Sequence, residues 1–357
     1  MSDDLKAVVL CAGEGTRLRP LTFSKPKHLL PVAGKPLLGH VLDALVAAGV
    51  HEVGLVVGYL AEAVQGYVGD GEQWGVTATY IRQEHPLGLG HAIKQAEGFL
   101  DGAPFLVYLG DNLLGDGITS FVDDFRAGNG DAALLLKEVQ DPRRYGVAVV
   151  DEQRRVTRVE EKPAQPPSNL AIVGVYAFQP IIFDAIDSIK PSPRGELEIT
   201  DAIQHLIEQG RVVKAGLVAG FWEDAGEPAA LLVANRFYLD RTVTDTRVPL
   251  RNGCTLSGPA SVGPGTRITN SRLEGPCLIG SNCRVDNCVI GPYAAIGDGC
   301  DIKDSRVEDS IIQQKCQITG VALQHSVLGE RVQIGGGETP ERPLHMVLGD
   351  MAQIRML

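Results

Sequence analysis

A chain of 357 residues with 44% apolar and 22% charged side chains is long enough for two domains, each able to bury a core without disulfide or metal support. That composition excludes disorder and collagen-like structure despite 42 Gly and 21 Pro. The net charge of -11 argues against a broad nucleic-acid-binding face, but not against small anionic substrates, which need only a local cluster of Lys and Arg. No apolar run approaches the length of a membrane span, and the start from Met1 through Asp3 and Asp4 into an apolar strand lacks a signal-peptide pattern. A cytoplasmic protein with no nucleic-acid and no membrane partner is expected.

A β-branched run at Ala7 to Leu10 breaks into glycines at Gly13 and Gly15. A helical stripe of Leu38, Val41, Leu42, Leu45 and Val46 follows, ending at Gly49. Next come a strand over 53–57, a helix near 61–67, a strand over 77–81, a helix over 91–99 and a strand over 105–109. Short apolar strands alternating with helices predict a mostly parallel sheet covered on both faces. Ligands collect beyond the carboxyl ends of such strands. That places residues 13–17 and Asp111, each directly after a strand, in one crevice.

From about residue 250 the pattern changes. Aliphatic residues recur every five or six positions from Val262 through Ile268, Leu273 and Ile279 to Leu328 and Ile334. No helix has such a period. It suits a solenoid of short parallel strands with one aliphatic residue pointing inward per edge, about 18 residues to a coil and some four coils in all. Six of the seven Cys fall in this tract, at spacings of 23, 6, 5, 12 and 16 with no CxxC pair. That resembles a repeat period more than a zinc clip and predicts small buried thiols. The polar run 236–252 reads as an exposed connector, giving domains 1–240 and 241–357. The tail reads as a Gly/Pro loop, 335–343, before a final apolar stretch, 344–348.

The loop after the first strand, Ala12-Gly13-Glu14-Gly15-Thr16-Arg17-Leu18, lets backbone N–H groups face a phosphate. It is not a Walker A loop, because no Gly-Lys-Ser/Thr follows, and Leu18 spoils a dinucleotide fingerprint. The cations after it, Arg17, Arg19, Lys25 and Lys27, suit a triphosphate. Asp111 ends an apolar strand, where a carboxylate has no core role and otherwise serves as a cap or turn residue. Gln83 offers both a donor and an acceptor, as a pyrimidine edge requires.

These motifs resemble those of the sugar-1-phosphate nucleotidylyltransferases. The likeness is carried by residues 10–22 and Lys25-Pro26-Lys27-His28-Leu29-Leu30-Pro31-Val32, then by Gln83 with Pro86-Leu87-Gly88-Leu89-Gly90 and Gly110-Asp111-Asn112. It continues through Tyr145-Gly146-Val147, Glu161-Lys162-Pro163, residues 172–176, residues 196–201 and Trp222-Glu223-Asp224-Ala225-Gly226. The length and hexapeptide tail are most like the long form of the glucose-1-phosphate thymidylyltransferases.

The resemblance implies an α/β fold: a Rossmann-like, mostly parallel sheet flanked by helices, then a left-handed parallel β-helix of hexapeptide repeats. It implies attack of glucose 1-phosphate on the α-phosphorus of dTTP or UTP, with Mg²⁺ as cofactor and a homo-oligomeric assembly. Arg17 would hold the β- and γ-phosphates, Lys27 would neutralise charge at the α-phosphate, and Lys162 would clamp the sugar phosphate. Leu10, Ala12, Gly13, Gly15, Thr16, Gln83, Pro86, Gly88 and Asp111 would bind nucleotide. Asn112, Tyr145, Gly146, Glu161, Lys162, Val173, Glu198 and Trp222 would bind sugar, with Glu196 the alternative to Glu198. Asp111 and Asp224 would hold the metal.

Two other readings compete. A non-catalytic regulatory subunit of the same architecture would tolerate loss of this charged set, which is present. An acyl-transferring solenoid would want a His base between coils, and His325, inside the repeat tract, fits a corner better. Residues 88–92 also resemble UTP-using enzymes, leaving thymine against uracil to one methyl contact.

Overall fold

The computed structural model describes residues 5–128, 130–245, 253–336 and 342–356. The expected connector at 246–252, loop residues 337–341 and the first four residues lie outside them. The described chain forms two units: one takes the chain up to Glu14 with Leu38–Asp224, the other Gly15–Leu37 with the chain from Ala225 onward. The cationic segment after the glycine loop therefore packs with the C-terminal repeats, a grouping that the linear division at 240 does not anticipate.

The first unit starts with β1 (Lys6–Cys11). The hairpin β2 (Pro31–Val32) and β3 (Lys35–Pro36) belongs to the second unit. There follow α1 (Leu37–Ala47), β4 (Glu52–Val57), α2 (Ala61–Val68), β5 (Thr77–Arg82), α3 (Leu89–Lys94), α4 (Glu97–Leu100), β6 (Phe105–Leu109), β7 (Asn112–Leu114) and α5 (Thr119–Arg126). Then come β8 (Ala132–Glu138), β9 (Gly146–Val150), β10 (Val156–Glu161), β11 (Leu170–Phe178), α6 (Ile182–Ser188), α7 (Ile199–Glu208), β12 (Val213–Leu217) and β13 (Trp222–Asp224). One core lies on each face of the sheet. Leu38, Leu42, Val64 and Phe121 cover one, and Ile93, Phe183, Ile203 and Leu206 the other.

The main sheet runs β10-β9-β11-β6-β1-β4-β5, with β8 and β12 joined alongside β11. The pairs among β6, β1, β4 and β5 are parallel, as expected. Beyond β6 the sheet is mixed, because β11 runs antiparallel to β6, β8 and β9. The reason this escapes the sequence is that β11 is buried almost throughout, and a strand covered on both faces reads as an unbroken apolar run in either direction. The helix expected over 91–99 is two short helices, α3 and α4. Ala92, Ile93, Ala96 and Leu100 are all buried across the break, so the apolar period continues through it.

In the second unit α8 (Pro228–Thr242) occupies the first part of the expected connector. Asn235, fully buried on α8, accepts from Ala33 N–H at 2.9 Å and donates to the Tyr293 carbonyl at 3.0 Å. The repeats form three parallel sheets of five, six and six strands, the architecture of a left-handed parallel β-helix. Strand partners are 17 residues apart at first (Ala260↔Cys277) and 16 later (Ala295↔Ile311), rather than 18. The tail adds further strands: Val347 pairs with Val327 and Gln353 with Gln333, so there are more coils than the four expected. Aliphatic ladders such as Leu273–Ile290–Val307–Leu323 fill the interior. Asn270, Asn287 and Asp304 turn successive corners at positive φ, a conformation in which Asn and Asp are enriched. Six Cys in the chain are buried free thiols, five of them in the β-helix core, while Cys254 is partly exposed.

Candidate active site

Within the first unit the carboxyl end of β1 opens a closed circuit of contacts. Gly58, just after β4, sits where a Cβ would lie 3.1 Å from Ala12 Cβ, from the Ala12 carbonyl and from the Gln83 carbonyl. A side chain there would press on all three, and the glycine lets the loop after β1 lie beside Gln83. The Gln83 amide nitrogen lies 3.5 Å from the Gly88 carbonyl. Gly88, at φ 101, is pressed so close to Leu197 that a Cβ would come within 2.7 Å of its backbone N and O. Gly90 N–H donates to Leu197 O at 2.8 Å, and Leu197 N–H to Leu87 O at 2.8 Å, so the 87–90 loop is laced to residues 196–198. Pro86 is exposed on that loop, and Gly13 at the end of β1.

From Leu197 the circuit enters a charged network. Glu198, 4% exposed at the start of α7, accepts from Ser192 Oγ at 2.8 Å and from Arg194 at 2.7 Å. Arg194 also reaches Glu161 at 3.3 Å. Thr200 Oγ1 donates to the second Glu161 oxygen at 3.2 Å, and Lys162 Nζ is 3.4 Å from the first. Glu196 lies further from Arg194, at 3.7 Å, and is exposed, so Glu198 is the carboxylate built into the network. Asp201, behind it, has its carboxyl raised by burial and then by the charges of Glu198 and Glu161. A Cβ on Gly146 would meet Thr200 Cγ2 at 2.9 Å and Glu161 Oε2 at 3.2 Å.

Lys162 adopts φ 44 and donates its N–H to the Tyr145 carbonyl at 3.0 Å. The Tyr145 ring packs edge-on against Trp222 at 5.1 Å between centroids. Trp222 Nε1–H donates to Asn112 Oδ1 at 2.8 Å, which fixes that amide so that Nδ2 donates to Asp111 Oδ1 at 3.2 Å. Gly110 N–H then returns to the Leu10 carbonyl at 3.1 Å and closes the circuit on β1. Beside it, β11 is irregular between Ile172 and Tyr176, where Gly174 takes φ 72 and lies within 3.1 Å of Asn112 Cγ by its Cβ position. Val173 is fully buried in the core, so only its backbone is left for a ligand.

The short ladder β7–β13 sets Asp224 opposite Asn112, next in chain to Asp111. Asp111 is 5% exposed and Asp224 half-buried. Burial, and then the charge of Asp224, pushes the neighbouring Glu223 carboxyl up to about 7, so near neutral pH Glu223 is partly protonated and adds less negative charge to this ladder than a free carboxylate would. Among the described residues no group of three or more His, Cys, Asp or Glu could hold a metal alone. Two carboxylates on adjoining strands nonetheless fit Mg²⁺, which takes one or two protein carboxylates and fills its remaining positions with phosphate and water.

Gly15, Thr16, Arg17 and Lys27 lie in the second unit. Gly15 is at φ 65, and its Cβ position is 3.0 Å from Lys27 Cβ, so a side chain there would strike the lysine stem. Thr22 Oγ1 donates to the Gly15 carbonyl at 2.8 Å. Arg17 faces Glu227 at 3.6 Å. Lys25 is bonded to Gln313 at 2.6 Å and paired with Glu330 and Asp350, so this cation serves the fold. His325, at φ 49, turns a coil corner and contacts Asp309 at 2.9 Å, as expected of a corner residue.

Sequence reasoning missed Arg194, Ser192, Thr200 and Gly58. Arg194 sits in Pro-Ser-Pro-Arg-Gly, which reads as an ordinary turn, and only the fold carries it to Glu161.

The comparisons agree with this geometry. Residues 6–241 match the family model for nucleotidyl transferase. The chain is 43% identical to a glucose-1-phosphate thymidylyltransferase of Streptomyces antibioticus and 41% identical to one of Streptomyces griseus, covering 99% of both chains in each case. A solved structure described as a glucose-1-phosphate thymidylyltransferase of Bacillus anthracis, in complex with a sucrose, is 34% identical with a TM-score of 0.62, over 68% of this chain and 98% of that one. With residues 6–241 matching that family model and with these full-length likenesses, the chain belongs to the nucleotidyl transferase family.

Proposed function

We propose that the protein transfers dTMP from dTTP to glucose 1-phosphate, giving dTDP-glucose and pyrophosphate. The observation that supports the reading is the circuit itself, in which the buried Gln83 amide, the Glu161–Arg194–Glu198 network and the carboxylates Asp111 and Asp224 are linked by successive contacts. Glu161 and Glu198 accept sugar hydroxyls, and Arg194 balances their charge. Lys162, on a backbone held by the Tyr145 carbonyl, draws in the sugar phosphate. One of its oxygens attacks the α-phosphorus, a P–O bond forms, and the bond to the pyrophosphate oxygen breaks. The attacking phosphate oxygen is already ionised near neutral pH, so no general base is needed, and the departing pyrophosphate takes up the bonding electron pair. Arg17 and Lys27 neutralise the triphosphate, Arg17 on the leaving pyrophosphate. Asp111 and Asp224 would hold Mg²⁺, which when bound would supply further neutralisation of phosphate charge.

The deciding experiment compares initial rates of pyrophosphate release for dTTP, UTP and GTP against a panel of sugar 1-phosphates with Mg²⁺. Pyrimidine nucleotides with glucose 1-phosphate should react fastest. No release with any pair would overturn the reading in favour of a regulatory subunit. Lys162→Met should raise the KM for glucose 1-phosphate and lower kcat by about 10²–10³ while leaving the melting temperature unchanged, since Lys162 is exposed.

A further inference from the structure

We infer that His91 sets which pyrimidines the site accepts, by holding the Gln83 amide in one of its two orientations. The inference rests on the nucleotidyl-transfer reading above and extends it to a side chain outside the residues named there.

Gln83 is 6% exposed, so its amide cannot turn over freely against water. Its nitrogen lies 2.9 Å from His91 Nδ1 and 3.5 Å from the Gly88 carbonyl. A carbonyl only accepts, so the NH₂ side of the amide belongs on this side. The ring nitrogen at 2.9 Å must then accept as well, which makes His91 the neutral tautomer with its proton on Nε2. At its other edge His91 Nε2 lies 3.4 Å from Gln95. The Gln95 atom at that edge is its amide nitrogen, at a long 3.4 Å and on an exposed side chain that is free to rotate, so the closer, buried contact with Gln83 is the one that constrains the ring. Reversing Gln83 would set its oxygen against the Gly88 carbonyl, which can only accept, and would oblige His91 to move its proton to Nδ1.

The surroundings keep this arrangement in place. Gly88 is confined against the Leu197 backbone, and the Gly90–Leu197 and Leu197–Leu87 bonds fix the turn that leads into α3, where His91 sits in the first turn. Gln83 Oε1 makes no hydrogen bond among the described residues, and it is the amide atom left for the base. An oxygen there accepts the N–H at ring position 3 of thymine or uracil. Cytosine carries a lone pair at that position, so the two acceptors repel and cytosine nucleotides are refused. The device does not read the methyl group, so it treats dTTP and UTP alike.

The test measures kcat and KM of the full-length protein for dTTP, UTP and dCTP with glucose 1-phosphate and Mg²⁺, in wild type, His91→Gln and His91→Phe. Glutamine still supplies an acceptor to Gln83, whereas phenylalanine fills the ring volume and supplies none. His91→Phe should raise the KM for dTTP about tenfold with little change in the KM for glucose 1-phosphate. It should lower the dTTP-to-dCTP ratio of kcat/KM about tenfold, while His91→Gln keeps the ratio within about threefold of wild type. An unchanged ratio in His91→Phe, or equal relaxation in both variants, would overturn the role of His91. A wild-type protein inactive on every pyrimidine nucleotide would instead overturn the catalytic reading beneath it.

Discussion

Trp222 reaches Asn112, next to Asp111, through one hydrogen bond. Its indole N–H can only donate, so Asn112 must present its oxygen there and its NH₂ to Asp111. Trp222→Phe keeps the ring beside Tyr145 but frees that amide. It should weaken Mg²⁺ activation several-fold, read as a higher half-saturating Mg²⁺ concentration, with a stability loss of about 1 kcal/mol. Gly88 is constrained twice over, by φ 101 and by the Leu197 backbone 2.7 Å from any Cβ. Gly88→Ala should cost about 1–3 kcal/mol in urea unfolding and raise the KM for dTTP more than that for glucose 1-phosphate.

Elements matter here chiefly through where they end or break. β1, β4 and β6 stop at the circuit, β11 loses its regular pairing beside Asn112, and the ladder β7–β13 exists only to set Asp224 opposite Asn112. Irregular strands recur at binding sites because the freed backbone groups point where a regular ladder would not let them. On α8, Asn235 joins the hairpin β2–β3 to the Tyr293 corner through two buried bonds. Asn235→Leu would leave the Ala33 N–H and the Tyr293 carbonyl unpaired. The expected loss is about 2–3 kcal/mol in chemical denaturation, with lower kcat because the segment bearing Lys27 is anchored there.

For the whole molecule, the C-terminal repeats carry part of the signature segment. Lys25 stands among the cations that read as phosphate ligands, yet it is nearly enclosed by Gln313, Glu330 and Asp350. Lys25→Met would leave two partly buried carboxylates uncompensated. It should lower stability by about 2–3 kcal/mol, as thermal melting of the variant beside the wild type would show. The β-helix thus supports the cationic segment that follows the glycine loop.

The sequence by itself determined the strand and helix succession through residue 109, the solenoid and the inward position of its thiols, because each depends on local period and side-chain size. It also singled out Gln83, Asp111, Lys162 and Asp224, whose motifs are contiguous. Tertiary structure alone decided the direction of β11, the burial of Glu198 against Arg194, the structural duty of Lys25, and the contacts of Arg194 and His91. Each of these depends on a partner far along the chain or on which edge of a side chain is already occupied. Arg194 meets Glu161 across 33 positions and Lys25 meets Glu330 across 305. No periodicity encodes such a pairing, because the energy that fixes it arises only when folding brings the two groups out of water together.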